Sequence, residues 1–89
     1  MPVHDLGGIC NMDELIELSK KYNIPIIEDS AEAIGTRYKS SHAGSIGKMG
    51  VFSFNGNKII TTGSGGMIIT DDKNLQWLFK FPNIEICTY

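Results

Sequence analysis

The chain has 89 residues, of which 42% are hydrophobic and 20% charged, with a formal net charge of -2. That length holds at most one small domain and lets a chain folding alone bury only a modest part of its surface, while the composition is that of a soluble globular protein rather than a disordered one. A weakly acidic balance without a run of Lys or Arg gives no electrostatic footprint for nucleic acid and no basic face for a membrane surface, and no apolar stretch nears the ~20 residues of a membrane span.

The opening Met1-Pro2-Val3-His4-Asp5 lacks the regions of a signal peptide, so a cytoplasmic location is expected. Asn11 is a good N-cap with Glu14 three residues on, and Met12, Leu15, Ile16 and Leu18 recur at helical spacing. This predicts an amphipathic helix over Met12 to Tyr22, with Lys20 and Lys21 near the end where cations suit the dipole, stopped by Asn23 and Pro25. Ile24, Ile26 and Ile27 suit the start of a strand buried on both faces, and a helix followed by such a strand is half of an α/β crossover unit with parallel strands.

Glu28 and Asp29 follow at the strand's C-terminal end, the edge where open α/β sheets place ligand sites. Ser30 to Gly50 reads as a short helix or turn and then irregular connections. Val51 to Phe54 is a second strand, ended by the turn Asn55-Gly56-Asn57. Ile59 to Thr62 and Met67 to Thr70 read as a hairpin joined by Gly63-Ser64-Gly65-Gly66. Asp71 and Asp72 could cap a last helix through Leu75, Leu78 and Phe79, which Pro82 ends after about two turns.

Taken singly, the polar residues are ambiguous. Asp29 is more often a loop anchor or cap than a functional group. The glycines at 63 to 66 lack the Lys-Ser/Thr and following helix of a phosphate loop, so a tight turn is preferred. Lys58, a lone cation between two apolar β segments, is as readily a snorkelling surface lysine as a reactive one. Cys10 and Cys87 lack CxxC spacing and are expected to be free thiols. His4 and His42 stand isolated, and no metal site is expected.

Taken together, Glu28-Asp29-Ser30-Ala31-Glu32-Ala33-Ile34-Gly35 and the run from Gly50 through Ser53-Phe54-Asn55-Gly56-Asn57-Lys58 to Gly66 resemble the DegT/DnrJ/EryC1/StrS family of pyridoxal-phosphate (PLP) dependent sugar aminotransferases. Pro2-Val3-His4 and Lys20-Lys21-Tyr22-Asn23-Ile24-Pro25 also fit, so the resemblance runs from the start to about Asp72. It implies an α/β fold, part of the large domain of a fold-type-I PLP-dependent transferase with a mainly parallel sheet. It also implies pyridoxal 5'-phosphate as cofactor, a nucleotide-sugar and an amino-acid donor as partners, and a homodimer for full-length members.

The resemblance further implies roles for individual residues. The lysine matching Lys58 forms the Schiff base with PLP and moves the proton during transamination. The aspartate matching Asp29 pairs with the pyridine nitrogen, and the serine matching Ser53 binds the cofactor phosphate. Glu32 matches a polar position near the ring that often holds Gln or His in relatives. Asn55 and Asn57 are sufficiently explained as turn residues.

Family members are several times longer than this chain. Residues 1–72 are expected to be the central part of the PLP-binding large domain, and 73–89 a divergent, truncated tail, with a frameshift as one account of it. The leading reading is a fragment of an enzyme moving an amino group, from glutamate, to a nucleotide-linked keto-sugar. Lys58 favours this over the related PLP-dependent dehydratases, which carry histidine there. The rivals are an inactive remnant and a small phosphate- or nucleotide-binding α/β module unrelated to PLP.

Overall fold

The structure, a computed structural model, describes residues 1–78 and 85–87. Helix α1 spans Met12–Tyr22, as its periodicity predicts, and Met12 is its fully buried residue. The expected capping box does not close. Asn11 makes no side-chain cap, and its Nδ2 instead donates to Glu14 Oε1 at 2.7 Å. The helix ends at Asn23, whose left-handed backbone (φ 52°) lets Ile24 N–H reach Ser19 O at 3.0 Å.

Strand β1 covers Ile27–Asp29, so it begins later than the apolar run and includes both acidic residues. Pro25 explains the offset: it has no N–H to give a ladder and restricts the residue before it. The next stretch forms turns and a small antiparallel pair, β2 (Arg37–Tyr38) with β3 (Ser41–His42). Strand β4 (Met49–Ser53) then lies parallel to β1, with Ile27 opposite Met49 and Asp29 opposite Val51.

Strand β5 (Gly66–Ile69) is antiparallel to β4 and not to residues 59–62. The expected hairpin between Ile59–Thr62 and Met67–Thr70 is therefore absent, and Ile59 and Ile60 are exposed. The reason is local. Phe54 O accepts from Thr62 N and from Thr61 Oγ1, and Phe54 N donates to Gly65 O, so the segment closes on the end of β4 as a loop. Strand β5 then finds its partner in the apolar β4.

Helix α2 covers Lys73–Leu78 and starts on Asp72, whose Oδ1 accepts Asn74 N–H at 2.8 Å. Phe79 and Pro82, the expected end of this helix, lie outside the described residues. Strand β6 (Glu85–Cys87) runs parallel to β5. The main sheet has the order β1-β4-β5-β6 and is mixed, with parallel outer pairings around one antiparallel pairing. No helix among the described residues is long and apolar enough to cross a membrane.

The least expected element of the fold is a buried carboxylate. Glu28 sits in the middle of β1 with no exposed surface. Its Oε1 accepts Gly44 N–H at 2.8 Å and His4 Nε2–H at 3.1 Å, while its Oε2 accepts Ile46 N–H at 2.7 Å and Gly47 N–H. His4 is equally buried, and its Nδ1 accepts Cys10 N–H at 3.3 Å, which places the ring proton on Nε2, toward Glu28. Four donors thus compensate one buried anion, the condition under which such a group is tolerated.

Two glycines make the arrangement possible. Gly50, opposite Glu28 in the ladder, has no side chain, and a Cβ there would meet Gly44 O at 2.0 Å. Gly44 itself takes φ +85°, and a Cβ on it would meet the Phe52 ring at 2.6 Å. The segment 44–47 can therefore lie directly on the sheet and turn its N–H groups to the carboxylate.

Replacing Glu28 by Gln turns an amide NH2 toward donors that need an acceptor. In urea denaturation Glu28→Gln is expected to lose about 2–4 kcal/mol, the scale of buried donors left without a partner. Gly50→Ala is expected to lose about 2–3 kcal/mol through overpacking against the Gly44 backbone. A loss below about 0.5 kcal/mol in either variant contradicts this packing.

Candidate functional site

The C-terminal ends of β1 and β4, with the turns that follow them, carry every residue expected to hold a cofactor. Asp29 closes β1. Its backbone is fixed on both sides, because its N–H donates to Pro2 O and its carbonyl accepts His4 N–H, both at 2.9 Å. Side chains alternate along a strand, so Asp29 lies on the face opposite Glu28. Its Oδ1 accepts Ala31 N–H at 3.1 Å, an Asx turn that starts the chain's departure from the sheet.

Ser53 closes β4. Asp29 is in register with Val51, so Ser53 sits on the same face two residues further along, roughly 7 Å by strand rise. Its hydroxyl accepts Asn55 N–H at 3.4 Å, a weak contact. Beyond it the turn Asn55 to Lys58 closes by Lys58 N–H donating to Asn55 O at 3.0 Å, which bears out Asn55 and Asn57 as turn residues.

Lys58 does not snorkel. Its side chain is 15% exposed and its Nζ donates to Glu32 Oε1 at 3.0 Å, across 26 residues of sequence. Glu32 sits in the turn after β1, where its carbonyl also accepts Gly7 N–H at 3.2 Å. The Lys58 ammonium is the main reason its carboxyl is held below the usual carboxylate range, followed by the Asp5 side chain; the Leu6 N–H adds to this.

The structure thus joins Lys58 directly to Glu32 and sets Asp29 and Ser53 on one face of adjacent strands. It also reveals residues that sequence reasoning passed over. Glu28 was visible only as half of an acidic pair, and His4 as an isolated histidine. Their partnership shows no spacing signal, because it joins two segments and closes on backbone N–H groups. The signal that existed was a carboxylate directly after the apolar run Ile24 to Ile27, which if buried must be satisfied. Asp5 had no signal at all.

The donor set suits a phosphorylated aldehyde with a ring nitrogen. A carboxylate at the strand end can accept from a protonated ring nitrogen, a hydroxyl can bind phosphate, and a half-buried amine can meet the aldehyde. Among the described residues no group of three or more His, Cys, Asp or Glu could hold a metal ion.

Because the folded state holds the Glu32 carboxyl low, its contribution to stability is complete above the ordinary glutamate value and is lost as pH falls through the lowered one. A carboxyl-detected NMR titration is expected to give Glu32 a midpoint below the ordinary value, and Lys58→Met is expected to move it up. An unchanged midpoint in Lys58→Met contradicts the ion pair.

Residues 1–81 match the DegT/DnrJ/EryC1/StrS aminotransferase family. The chain is 53% identical over 75 residues to GDP-perosamine synthase of Caulobacter vibrioides, covering 84% of this chain and 20% of that protein. It is 51% identical over 75 residues to GDP-perosamine synthase of Escherichia coli O157:H7, covering 84% and 21%. Its fold superposes on the aminotransferase from Psychrobacter cryohalolentis with a TM-score of 0.82 at 44% identity, over 88% of this chain and 21% of that one. It superposes on DesI, solved in the presence of its TDP-sugar product, with a TM-score of 0.76 at 30% identity, over 90% and 22%. The chain spans about a fifth of the length of the curated relatives it matches. Its sequence over residues 1–81 and its α/β fold place it in one group: the chain belongs to the DegT/DnrJ/EryC1/StrS aminotransferase family.

Proposed function

We propose that this chain is the central part, residues 1–72, of the cofactor-binding large domain of a PLP-dependent sugar aminotransferase, with 73–89 as a divergent end. The reaction is transfer of an amino group from an amino acid, glutamate being the expected donor, to a keto-sugar carried on a nucleotide. Family membership and the GDP- and TDP-sugar chemistry in the names of its relatives support the substrate class. The observation that carries the reading is Lys58, drawn out of solvent to Glu32 at the sheet edge that also bears Asp29 and Ser53.

PLP, when bound, supplies a ring that withdraws electrons from the carbon losing its proton. The chain's own residues have distinct tasks. Lys58 holds the cofactor and moves the proton. Asp29, its backbone pinned by residues 2 and 4, offers a carboxylate to the ring nitrogen. Ser53 binds phosphate, and Glu32 faces the amine. The sugar and amino-donor sites and the expected homodimer lie with the longer protein.

The test is a PLP titration of the chain followed by absorbance, borohydride reduction and peptide mapping. Saturable labelling confined to Lys58 is the expected result, with Asp29→Asn weakening it several-fold. Scattered labelling of Lys20, Lys21 and Lys39 contradicts the reading.

A further inference from the structure

An ammonium cannot attack a carbonyl; its nitrogen must first give a proton to an acceptor already within reach. Lys58 Nζ lies 3.0 Å from Glu32 Oε1, and among the described residues Glu32 is the carboxylate that forms an ion pair with it. Glu32 is 38% exposed, so it has access to water, whereas Lys58 is largely covered. The Glu32 backbone carbonyl accepts Gly7 N–H at 3.2 Å, so the residue that carries the carboxylate is tied to the N-terminal segment.

We propose that Glu32 is the proton shuttle for Lys58. Its carboxylate takes a proton from Nζ as the nitrogen lone pair forms a bond to an aldehyde carbon. The carbonyl oxygen receives one of the remaining nitrogen protons and becomes a hydroxyl. Glu32 then returns its proton to that hydroxyl, which leaves as water as the nitrogen lone pair forms the C=N bond. The sum is ammonium plus aldehyde giving protonated imine plus water, with no oxidant or reductant. This inference rests on the reading of Lys58 as the cofactor-bearing residue, and assigns Glu32 a task that a neutral amide cannot perform.

The discriminating variant is Glu32→Gln, which still accepts a hydrogen bond from Nζ but cannot carry its proton. The full chain is treated with pyridine-4-carbaldehyde and excess cyanoborohydride, and modification of each lysine is followed by peptide mass mapping. Lys20, Lys21 and Lys39 serve as internal references. This probe has no phosphate, so the result does not depend on Ser53 or on cofactor affinity.

In the unsubstituted chain Lys58 is expected to react faster than the three references. Glu32→Gln is expected to slow Lys58 by at least about tenfold, a conservative share of what positioned proton transfer contributes, with the references unchanged. An equal or faster rate at Lys58 overturns the proposal. Should all four lysines change together through loss of fold, Glu32→Asp decides: a moderate drop confined to Lys58 supports the shuttle, and no drop overturns it. Failure of PLP to label Lys58 while the aldehyde result holds removes the cofactor reading alone; the reverse pattern removes the shuttle alone.

Discussion

The Glu28 carboxylate is the constraint on which the rest of this small fold depends. It lies in the first strand of the sheet with no contact with water, yet it is an anion with four N–H donors around it. Those donors come from segments distant in sequence, the start of the chain and the loop at 44–47. One carboxylate therefore ties the N-terminal segment, β1 and the approach to β4 into a single unit. Charge-assisted hydrogen bonds of this kind are stronger than neutral ones, and their loss in a dry setting is costly.

This anchoring has a consequence on the other face of the strand. Asp29, next to Glu28, cannot shift without disturbing the backbone bonds to Pro2 and His4, and His4 is itself held by Glu28. The loop that Glu28 grips leads straight into β4, which carries Ser53 and then the turn to Lys58. The carboxylates differ in setting: Glu28 is sealed and fixes geometry, while Asp29 and Glu32 remain partly accessible at the edge. Catalytic sites need such rigid support, because small displacements of reacting groups cost large factors in rate.

What the sequence made legible follows the physics that acts locally. Helix α1 was readable to the residue, since its apolar spacing, its terminal lysines and Asn23 are all short-range signals. β4 was readable in its centre but not its start, because Met49 joins the ladder through β1 and Gly50 through both β1 and β5, pairings that no local signal announces. Residues 59–62 misled because Ile-Ile-Thr-Thr has the composition of a strand, while hydrogen bonds to Phe54 decide the outcome. Asp29 and Lys58 stood out by position only as ambiguous candidates, and the roles expected of them, of Glu32 and of Ser53 came from family resemblance. The Lys58–Glu32 ion pair and the Glu28 network were legible by neither route, since both are long-range contacts.

The Glu28 carboxylate holds the 44–47 loop on the sheet through the Gly44, Ile46 and Gly47 N–H groups. Amide hydrogen exchange resolved by residue tests this most directly. The account predicts that the Gly44, Ile46 and Gly47 amides exchange as slowly as those of Val51 and Phe52 in β4. Exchange as fast as that of Asn57 in the exposed turn after Ser53 would contradict it.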